Sequence, residues 1–201
     1  ERELMKLPLT DEEYVRLHEK GYHAISTYIA QVGHMIPAFT KEELSIKTIF
    51  KTGNEALPEI LLTGKLDRLD FDSVGALVRV VDYKSGKPKT RGVIEGTTKN
   101  SEGDYKRQLV FYALLLSLLE DERYQSRHFT LSFLEPDSKG EVHEESFIIT
   151  DEEVSALKEE IIRVGLEIVQ GAFLEVPCDS TKSDYCDLAR SFVSSSLLQS
   201  D

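Results

Sequence analysis

Two short segments that contain acidic residues constrain this chain more than any other feature. One is Gly64-Lys65-Leu66-Asp67, and the other, fifteen residues after Asp67, is Asp82-Tyr83-Lys84. A largely apolar run directly before the second segment predicts that the two lie on adjacent strands. Because side chains alternate along a strand, Asp82 and Lys84 share one face. Two carboxylates and a lysine at the ends of adjacent strands can hold a hard divalent cation and stabilise a developing negative charge.

The size and composition of the chain are those of a globular protein with one core. It has 201 residues, of which 40% are hydrophobic and 30% charged, so one domain over residues 1–201 is expected. No apolar run reaches the roughly 20 residues that cross a bilayer, which predicts no membrane partner. The chain starts at Glu1 without a leader pattern, so we expect a fragment that lacks its N-terminal part. The serine-rich end, residues 190–201, is expected to fray.

Charge is unevenly distributed along the chain. The formal net charge is −12, which by itself disfavours a polyanionic partner. Between residues 84 and 107, however, there are seven basic and three acidic residues, a local charge of +4. Such a run is most often a solvated surface. Its position directly after Asp82 nevertheless makes Lys87 and Arg107 candidates for contacts with nucleic-acid phosphates.

The predicted elements are a helix, three strands, a helix, two strands and a helix. This order indicates an α/β (α+β) domain, with helices flanking a mixed central sheet. Thr10 and Thr150 each precede a glutamate by three residues, the capping-box pattern at the start of a helix. Residues 52–58 are predicted to be a turn or short loop and residues 85–103 a long polar loop, because glycine and proline interrupt both. Residues 104–119 are predicted to form a central helix packed on the sheet.

The acidic pair has a plain alternative interpretation. Both aspartates could be exposed residues at strand ends, in ion pairs with Arg68 or Lys84. However, neighbouring carboxylates repel each other unless a cation or protons intervene, and aspartate is disfavoured inside strands. Lys84 favours a phosphoryl-transfer site, since a lysine beside a bound metal can neutralise charge on an attacked phosphate.

Polar residues on the predicted central helix form a second set of candidates. Gln108 and Tyr112 are four residues apart and share one helix face, and Tyr105 lies on nearly the same side. A lone polar residue on a buried helix is usually an isolated, satisfied group. If this face meets the strand that carries Lys84, Gln108 can instead bind a nucleic-acid backbone or a metal-bound water.

Taken in order, these residues resemble the three successive motifs of the RecB-like nucleases in the PD-(D/E)XK superfamily. The motifs are Gly64-x-x-Asp67, Asp82-Tyr83-Lys84 and Gln108-x-x-x-Tyr112, and the resemblance covers roughly residues 40 to 120. It implies a restriction-endonuclease-like core and cleavage of DNA phosphodiester bonds with Mg²⁺ or Mn²⁺. Such domains often end helicase polypeptides of the UvrD/Rep type. We therefore expect helicase domains in the same polypeptide, a role in DNA repair or recombination, and a cytoplasmic location at the bacterial nucleoid.

The resemblance also implies roles for individual residues. The site that it implies consists of the metal ligands Asp67 and Asp82 with the carbonyl of Tyr83, the catalytic Lys84, and Gln108 and Tyr112 beside them. Glu43, at the start of the preceding strand, is a weaker accessory candidate.

The chain departs from the family pattern in two places. RecB-like nucleases usually carry a metal-ligating histidine in an upstream helix. His18 and His23 are predicted instead to be exposed helix residues, and the motif histidine is expected before Glu1. Many relatives also end in a cysteine-rich segment that ligates a [4Fe–4S] cluster. Cys178 and Cys186 are only two of the four thiolates required, so an iron–sulfur cluster is not expected; so few cysteines also suggest a reducing cytosol.

Other functions are weighed against the same residues. A non-catalytic DNA-binding or scaffolding module agrees with the missing histidine and the net acidity, but not with an intact Asp67, Asp82 and Lys84. An RNA-directed nuclease stays open, as do exonuclease and endonuclease action. A phosphate-binding P-loop is excluded, because the two Gly-Lys pairs at residues 64 and 86 lack the rest of that pattern.

Overall fold

The computed structural model of this chain describes residues 4–99 and 101–172. The chain divides into two compact units, residues 1–160 and 161–201, and the second is described only as far as residue 172. In the second unit, Arg163 and Glu167 form an ion pair of 2.7 Å along one helix. Some of the predictions from the sequence lie outside the described residues, namely those for Cys178, Cys186 and residues 190–201. The fold discussed below is that of the first unit.

The described part of the chain contains four α-helices and five strands. In chain order they are α1 (Asp11–Val32), β1 (Thr40–Asn54), β2 (Leu57–Phe71), β3 (Leu77–Lys84), α2 (Arg91–Glu95), α3 (Asp104–Ser117), β4 (His128–Phe133), β5 (His143–Ile148) and α4 (Asp151–Gln170). This order agrees with the predicted one, apart from the short α2 inside the stretch predicted to be a loop. None of the described helices is long and apolar enough to span a membrane.

The five strands form one mixed sheet. Their spatial order is β1-β2-β3-β4-β5, and neighbours are antiparallel except for β3 and β4, which are parallel. Parallel strands need a crossover connection, and α2 with α3 provides it between β3 and β4. The predicted α+β architecture, a mixed sheet with flanking helices, is confirmed.

Capping boxes start the first and last helices, as the sequence predicts. The backbone N–H of Thr10 donates to Glu13 Oε2 at 2.9 Å, and the N–H of Glu13 donates to Thr10 Oγ1 at 3.3 Å. Thr150 and Glu153 make the same reciprocal bonds, at 2.9 and 3.3 Å. Each box satisfies two N–H groups that a helix start leaves without partners.

The turn predicted over residues 52–58 is shorter than expected, because β1 runs to Asn54 and β2 begins at Leu57. The Thr52 side chain stabilises this tight turn: its hydroxyl donates to the carbonyl of Leu57 and accepts from the backbone N–H of Asn54 at 3.0 Å. Pro58 is tolerated in β2 because the β1–β2 register shifts between residues 51 and 54, opposite the proline.

Helix α3 packs closely on the sheet at Gly64 of β2. A Cβ atom on Gly64 would lie 2.4 Å from Cδ1 of Leu115, so glycine is what permits this approach. The helix buries six residues: Leu109, Val110, Tyr112, Leu114, Leu115 and Leu116. This packing brings the start of α3 to the end of β3.

Candidate active site

The end of β3 and the first turns of α3 bring four of the predicted site residues into contact. Tyr112 OH donates to Asp82 Oδ1 at 3.0 Å, and Gln108 Nε2 donates to Tyr112 OH at 2.7 Å. Lys84 Nζ donates to Gln108 Oε1 at 2.5 Å and lies 2.6 Å from Asp82 Oδ2. The four side chains therefore form a closed ring of polar contacts between β3 and α3.

Asp67 adjoins this ring from β2. The β2–β3 ladder ends at the pair of Arg68 and Val81, and Asp67 lies one residue past that pair. There the carboxylate of Asp67 bonds to β3. Its Oδ2 accepts a hydrogen bond of 2.9 Å from the backbone N–H of Tyr83. Asp67 is half-buried, and its negative charge acts on Asp82. The structure thus brings Asp67, Asp82, Lys84, Gln108 and Tyr112 together.

Burial governs the electrostatics of the ring. Asp82 is only 2% exposed, and this burial raises the pKa of its carboxyl above the usual aspartate value. The Lys84 ammonium and the Tyr112 hydroxyl oppose that rise, because both stabilise the charged carboxylate. Burial likewise raises the pKa of Tyr112, so this hydroxyl stays protonated and serves as a donor.

Asp82 fits a bound cation in one further respect. Among the described residues, Asp82 Oδ2 is the one buried side-chain oxygen or nitrogen that has no hydrogen bond. It does lie beside the Lys84 ammonium, with which it forms an ion pair. A buried carboxylate oxygen without a hydrogen bond, next to a second carboxylate, is the donor type that Mg²⁺ and Mn²⁺ prefer. The residues present therefore fit a divalent cation held by Asp82 and Asp67. Within residues 4–99 and 101–172, no His, Cys, Asp or Glu side chain completes a tight three-ligand group with them.

Tyr105 contributes to the site as well. Lys84 Nζ lies 5.1 Å from the centroid of the Tyr105 ring, within the range of a cation–π contact. The ring itself meets Phe133 of β4 edge-on, with centroids 6.3 Å apart. The sequence placed Tyr105 near the correct helix face without giving it a partner.

The two basic residues predicted to bind nucleic acid lie on the surface. Lys87 is exposed in the segment that follows β3. Arg107 is exposed on α3, where it pairs with Asp104 at 3.0 Å and donates to the carbonyl of Glu102 at 3.1 Å. Neither belongs to the ring around Asp82, so their role in binding nucleic acid stays a prediction.

Two of the accessory candidates, His18 and Glu43, have contacts outside the ring. His18 stacks on Tyr14 within α1, with ring centroids 6.0 Å apart, and His23 is exposed on the same helix. Glu43 is exposed and pairs with Lys65 at 2.9 Å. It adopts a left-handed backbone conformation, with a φ of 54°, at the position of β1 opposite Asp67.

Arg68 does not form an ion pair with either aspartate of the site, as the alternative interpretation of the acidic pair would have it. It pairs with Asp70 at 2.8 Å, not with Asp67, because residues two apart on a strand share a face. Both Arg68 and Asp70 are buried, at 2% and 0% exposure. Neither was singled out as a site residue, although strand alternation alone places them on the face opposite Asp67.

Two other polar regions are distinct from this site. A cleft of about 1040 Å³ lies at the other end of β3, between Leu77, Arg79, His128 and Lys158 among others, and no site residue lines it. Asp137, Glu141 and His143 cluster at the β4–β5 turn, with possible ligand atoms within 4.8 Å of one another. The hydrogen bonds of the turn account for that cluster, since Asp137 Oδ1 accepts from two backbone N–H groups and Oδ2 pairs with His143.

Comparison with models of protein families identifies the class of protein to which this fold and site belong. The PD-(D/E)XK nuclease superfamily matches residues 3–191. The chain therefore belongs to the PD-(D/E)XK nuclease superfamily, whose members use divalent metals. A search of curated proteins finds no match.

A solved structure from Eubacterium rectale, with a provisional exonuclease name, shares the fold at low sequence identity. It superposes with a TM-score of 0.51 and 13% identity, covering 89% of this chain and 63% of that one. Another, SSO0001, gives a TM-score of 0.39 and 12% identity, covering 78% of this chain and 62% of that one. The chain thus spans less than two thirds of either structure's length.

Proposed function

We propose that this chain is a Mg²⁺- or Mn²⁺-dependent nuclease that hydrolyses DNA phosphodiester bonds. Its superfamily supplies the reaction class, and the contacts around Asp82 carry the proposal. Asp82, Lys84, Gln108 and Tyr112 bond to one another in a ring, with Asp67 beside it. A purely structural polar group has no need of two adjoining carboxylates and a half-buried lysine whose charges meet at one point.

Each residue has a part in the proposed mechanism. Asp67 and Asp82 hold the cation, together with the carbonyl of Tyr83. The bound cation supplies a polarised phosphoryl oxygen and an acidified water near neutral pH. Lys84 places a positive charge where negative charge develops on the attacked phosphate. Gln108 holds the Lys84 ammonium, and Tyr112 fixes one oxygen of Asp82.

The substrate backbone is proposed to follow the basic segment after β3. Lys87 is exposed in the segment that follows β3 and Arg107 is exposed on α3, and the local charge of residues 84–107 is +4. Phosphate contacts of this kind release counterions, so binding should weaken as salt rises.

The biological setting is proposed from the order of the motifs alone. RecB-like motifs agree with a nuclease domain in a helicase polypeptide that acts on DNA at the nucleoid in the cytoplasm, in repair or recombination. The provisional exonuclease name of the Eubacterium rectale protein agrees with exonuclease action here.

A second candidate is a DNA-binding module of the same fold with little or no catalysis. It is favoured by one observation: within the described residues, Asp67 and Asp82 gather no third His, Cys, Asp or Glu ligand. A weakly held cation would leave the site inactive at ordinary metal concentrations.

Cleavage assays separate the two candidates. The chain is incubated with end-labelled linear DNA, single- and double-stranded, circular DNA and RNA, in Mn²⁺, Mg²⁺ or EDTA. We expect metal-dependent cleavage of linear DNA that EDTA abolishes, and its loss in Asp67→Asn and Asp82→Asn. Uncut circular DNA indicates exonuclease action. DNA binding without cleavage at any Mn²⁺ concentration would overturn the nuclease in favour of the binding module.

A further inference from the structure

The face of the sheet behind the site carries a buried, charged side chain at its centre. Arg68 donates from Nε and Nη2 to the two oxygens of Asp70, at 2.8 and 3.2 Å. Its Nη1 donates to the hydroxyl of Tyr83 at 2.6 Å, and its guanidinium carbon lies 5.5 Å from the centroid of the Tyr83 ring. The planar fork of an arginine fixes both partners at once.

Tyr83 is held from both faces of the sheet. It lies between Asp82 and Lys84, so its side chain points to the opposite face from theirs. On that reverse face its hydroxyl is bound by Arg68, while its backbone N–H donates to Asp67 at 2.9 Å. Asp67 and Arg68 are consecutive on β2, so two neighbouring residues of one strand hold a single residue of the next.

These two bonds occur where the β2–β3 pairing ends. The ladder of Cα partners extends from Phe71 and Leu77 to Arg68 and Val81, and the site residues lie one position beyond it. Beyond the last ladder pair, the bonds that join this end of β2 to β3 are therefore the side-chain bonds of Asp67 and Arg68 to Tyr83. An error of about 1 Å at this point can cost a large factor in rate.

Further buried groups anchor Arg68 and Tyr83 in place. Asp70 also pairs with Arg79 at 2.7 Å, and Arg79 lies 3.5 Å from Glu144 of β5. Ser132 of β4 contacts both Glu144 and the Tyr28 hydroxyl of α1, at 3.0 Å each. Tyr28 closes the circuit, because its ring packs edge-on against Tyr83 with centroids 5.9 Å apart.

A buried charge network of this kind is a poor means of stabilising a fold. Apolar residues of similar volume often stabilise as well or better, because desolvating the charges is costly. What the network supplies is a fixed geometry, and it does so directly behind the two carboxylates and the lysine.

We propose that Arg68 and the Tyr83 hydroxyl are positioning residues, which set the spacing of Asp67 from Asp82 and Lys84. This inference rests on the proposed function for its consequence in catalysis. In the protein without substrate, the Arg68 bond to the Tyr83 hydroxyl keeps the Asp67 bond to the Tyr83 N–H in place.

Two measurements on the whole chain test the proposal, and neither uses cleavage. One is the dissociation constant of Mn²⁺ by calorimetry; the other is hydrogen exchange of the residue 83 amide in EDTA. The variants are Tyr83→Phe, which removes one hydroxyl, and Arg68→Lys, which keeps the charge for Asp70 but loses the fork. Thr130→Val is the matched control, because it removes a buried hydroxyl of β4 that bonds to Ser146 and not to the network around Arg68 and Tyr83.

We expect each test variant to weaken Mn²⁺ binding by about tenfold, as loss of supporting hydrogen bonds typically does, and to speed exchange at residue 83. Thr130→Val should leave both within about twofold. The double variant should be no worse than the more affected single variant, because both changes remove one bond.

Unchanged amide exchange in both folded test variants would overturn the proposal, as would equal effects in Thr130→Val. If one variant fails to fold, the other decides; failure of both assigns a structural role instead and contradicts positioning. A wild-type chain that binds Mn²⁺ but cleaves no nucleic acid refutes the nuclease and leaves this test valid. If wild type binds no Mn²⁺, the exchange measurement alone decides.

Discussion

The Nζ of Lys84 lies 2.5 Å from the side-chain oxygen of Gln108. The two residues come from different elements, β3 and α3, so the bond fixes a flexible lysine relative to the helix and not only to its own strand. Lysine loses much rotamer freedom in such a contact. In the proposed mechanism, Gln108 is therefore the residue that keeps the ammonium ready for the phosphate.

Gln108→Ala is expected to slow DNA cleavage by about tenfold, because Lys84 loses its acceptor and Tyr112 its donor. Loss of these bonds should also lower the free energy of unfolding by about 1 kcal/mol. Single-turnover rates and urea unfolding check both effects. Gln125→Ala, an exposed glutamine outside the ring, is the control and should change neither; equal rates in the two variants would contradict this role of Gln108.

Tyr112→Phe is expected to move the acidic limb of the pH–rate profile to higher pH. The Tyr112 hydroxyl stabilises the Asp82 carboxylate and so lowers the pKa of Asp82, against the effect of burial. Without the hydroxyl that pKa rises further, and Asp82 stays protonated up to a higher pH. Tyr105→Phe is the matched control, since the ring of Tyr105, not its hydroxyl, contacts Lys84. An acidic limb that stays in place in Tyr112→Phe would refute the assignment of Asp82.

Gly64→Ala is expected to destabilise the fold by about 1–3 kcal/mol, because the new methyl group overlaps Leu115 in a tightly packed contact. Gly86→Ala makes the same chemical change with no atom within 4 Å of the new Cβ, so it serves as the control. Thermal and urea unfolding measure both. Similar stability in the two variants would show that the approach of α3 to β2 is looser than described.

Asp137→Ala is expected to lower stability at neutral pH but not in strong acid. Hydrogen bonds from the Glu141 N–H and from His143 lower the pKa of Asp137 to about 2 in the folded chain, from 3.8. A depressed pKa stabilises the fold above the unfolded value and loses this effect as pH falls through the folded one. The gap in unfolding free energy between wild type and variant should close between about pH 4 and pH 2. A gap that is constant with pH would contradict the shift.

Much of this fold follows from local patterns in the sequence. The capping boxes at Thr10 and Thr150 each start a helix, because their signal lies within four residues. Strand alternation places Asp82 and Lys84 on one face, and helical spacing places Gln108 beside Tyr112. Such rules need no knowledge of the tertiary structure.

Features that depend on contacts distant in sequence were not predictable in this way. The pairing of Arg68 with Tyr83 requires knowing which strands are neighbours and where their ladder stops. The β1–β2 turn is shorter than the glycine and proline signals predict, because a register shift opposite Pro58 lets both strands continue past them. In each case tertiary pairing decides what local propensity leaves open.

If Lys84 acts in phosphodiester cleavage, its loss must slow the Mn²⁺-dependent cleavage of linear DNA, so the rate of Lys84→Ala is compared with that of wild type. Lys47→Ala is the matched control, since it removes an exposed lysine of β1 that belongs neither to the site nor to the basic segment. We predict a rate about 100-fold or more below wild type for Lys84→Ala, as expected when a charge-stabilising group is removed, and an unchanged rate for Lys47→Ala. Cleavage by Lys84→Ala at the wild-type rate would show that Lys84 has no part in the reaction.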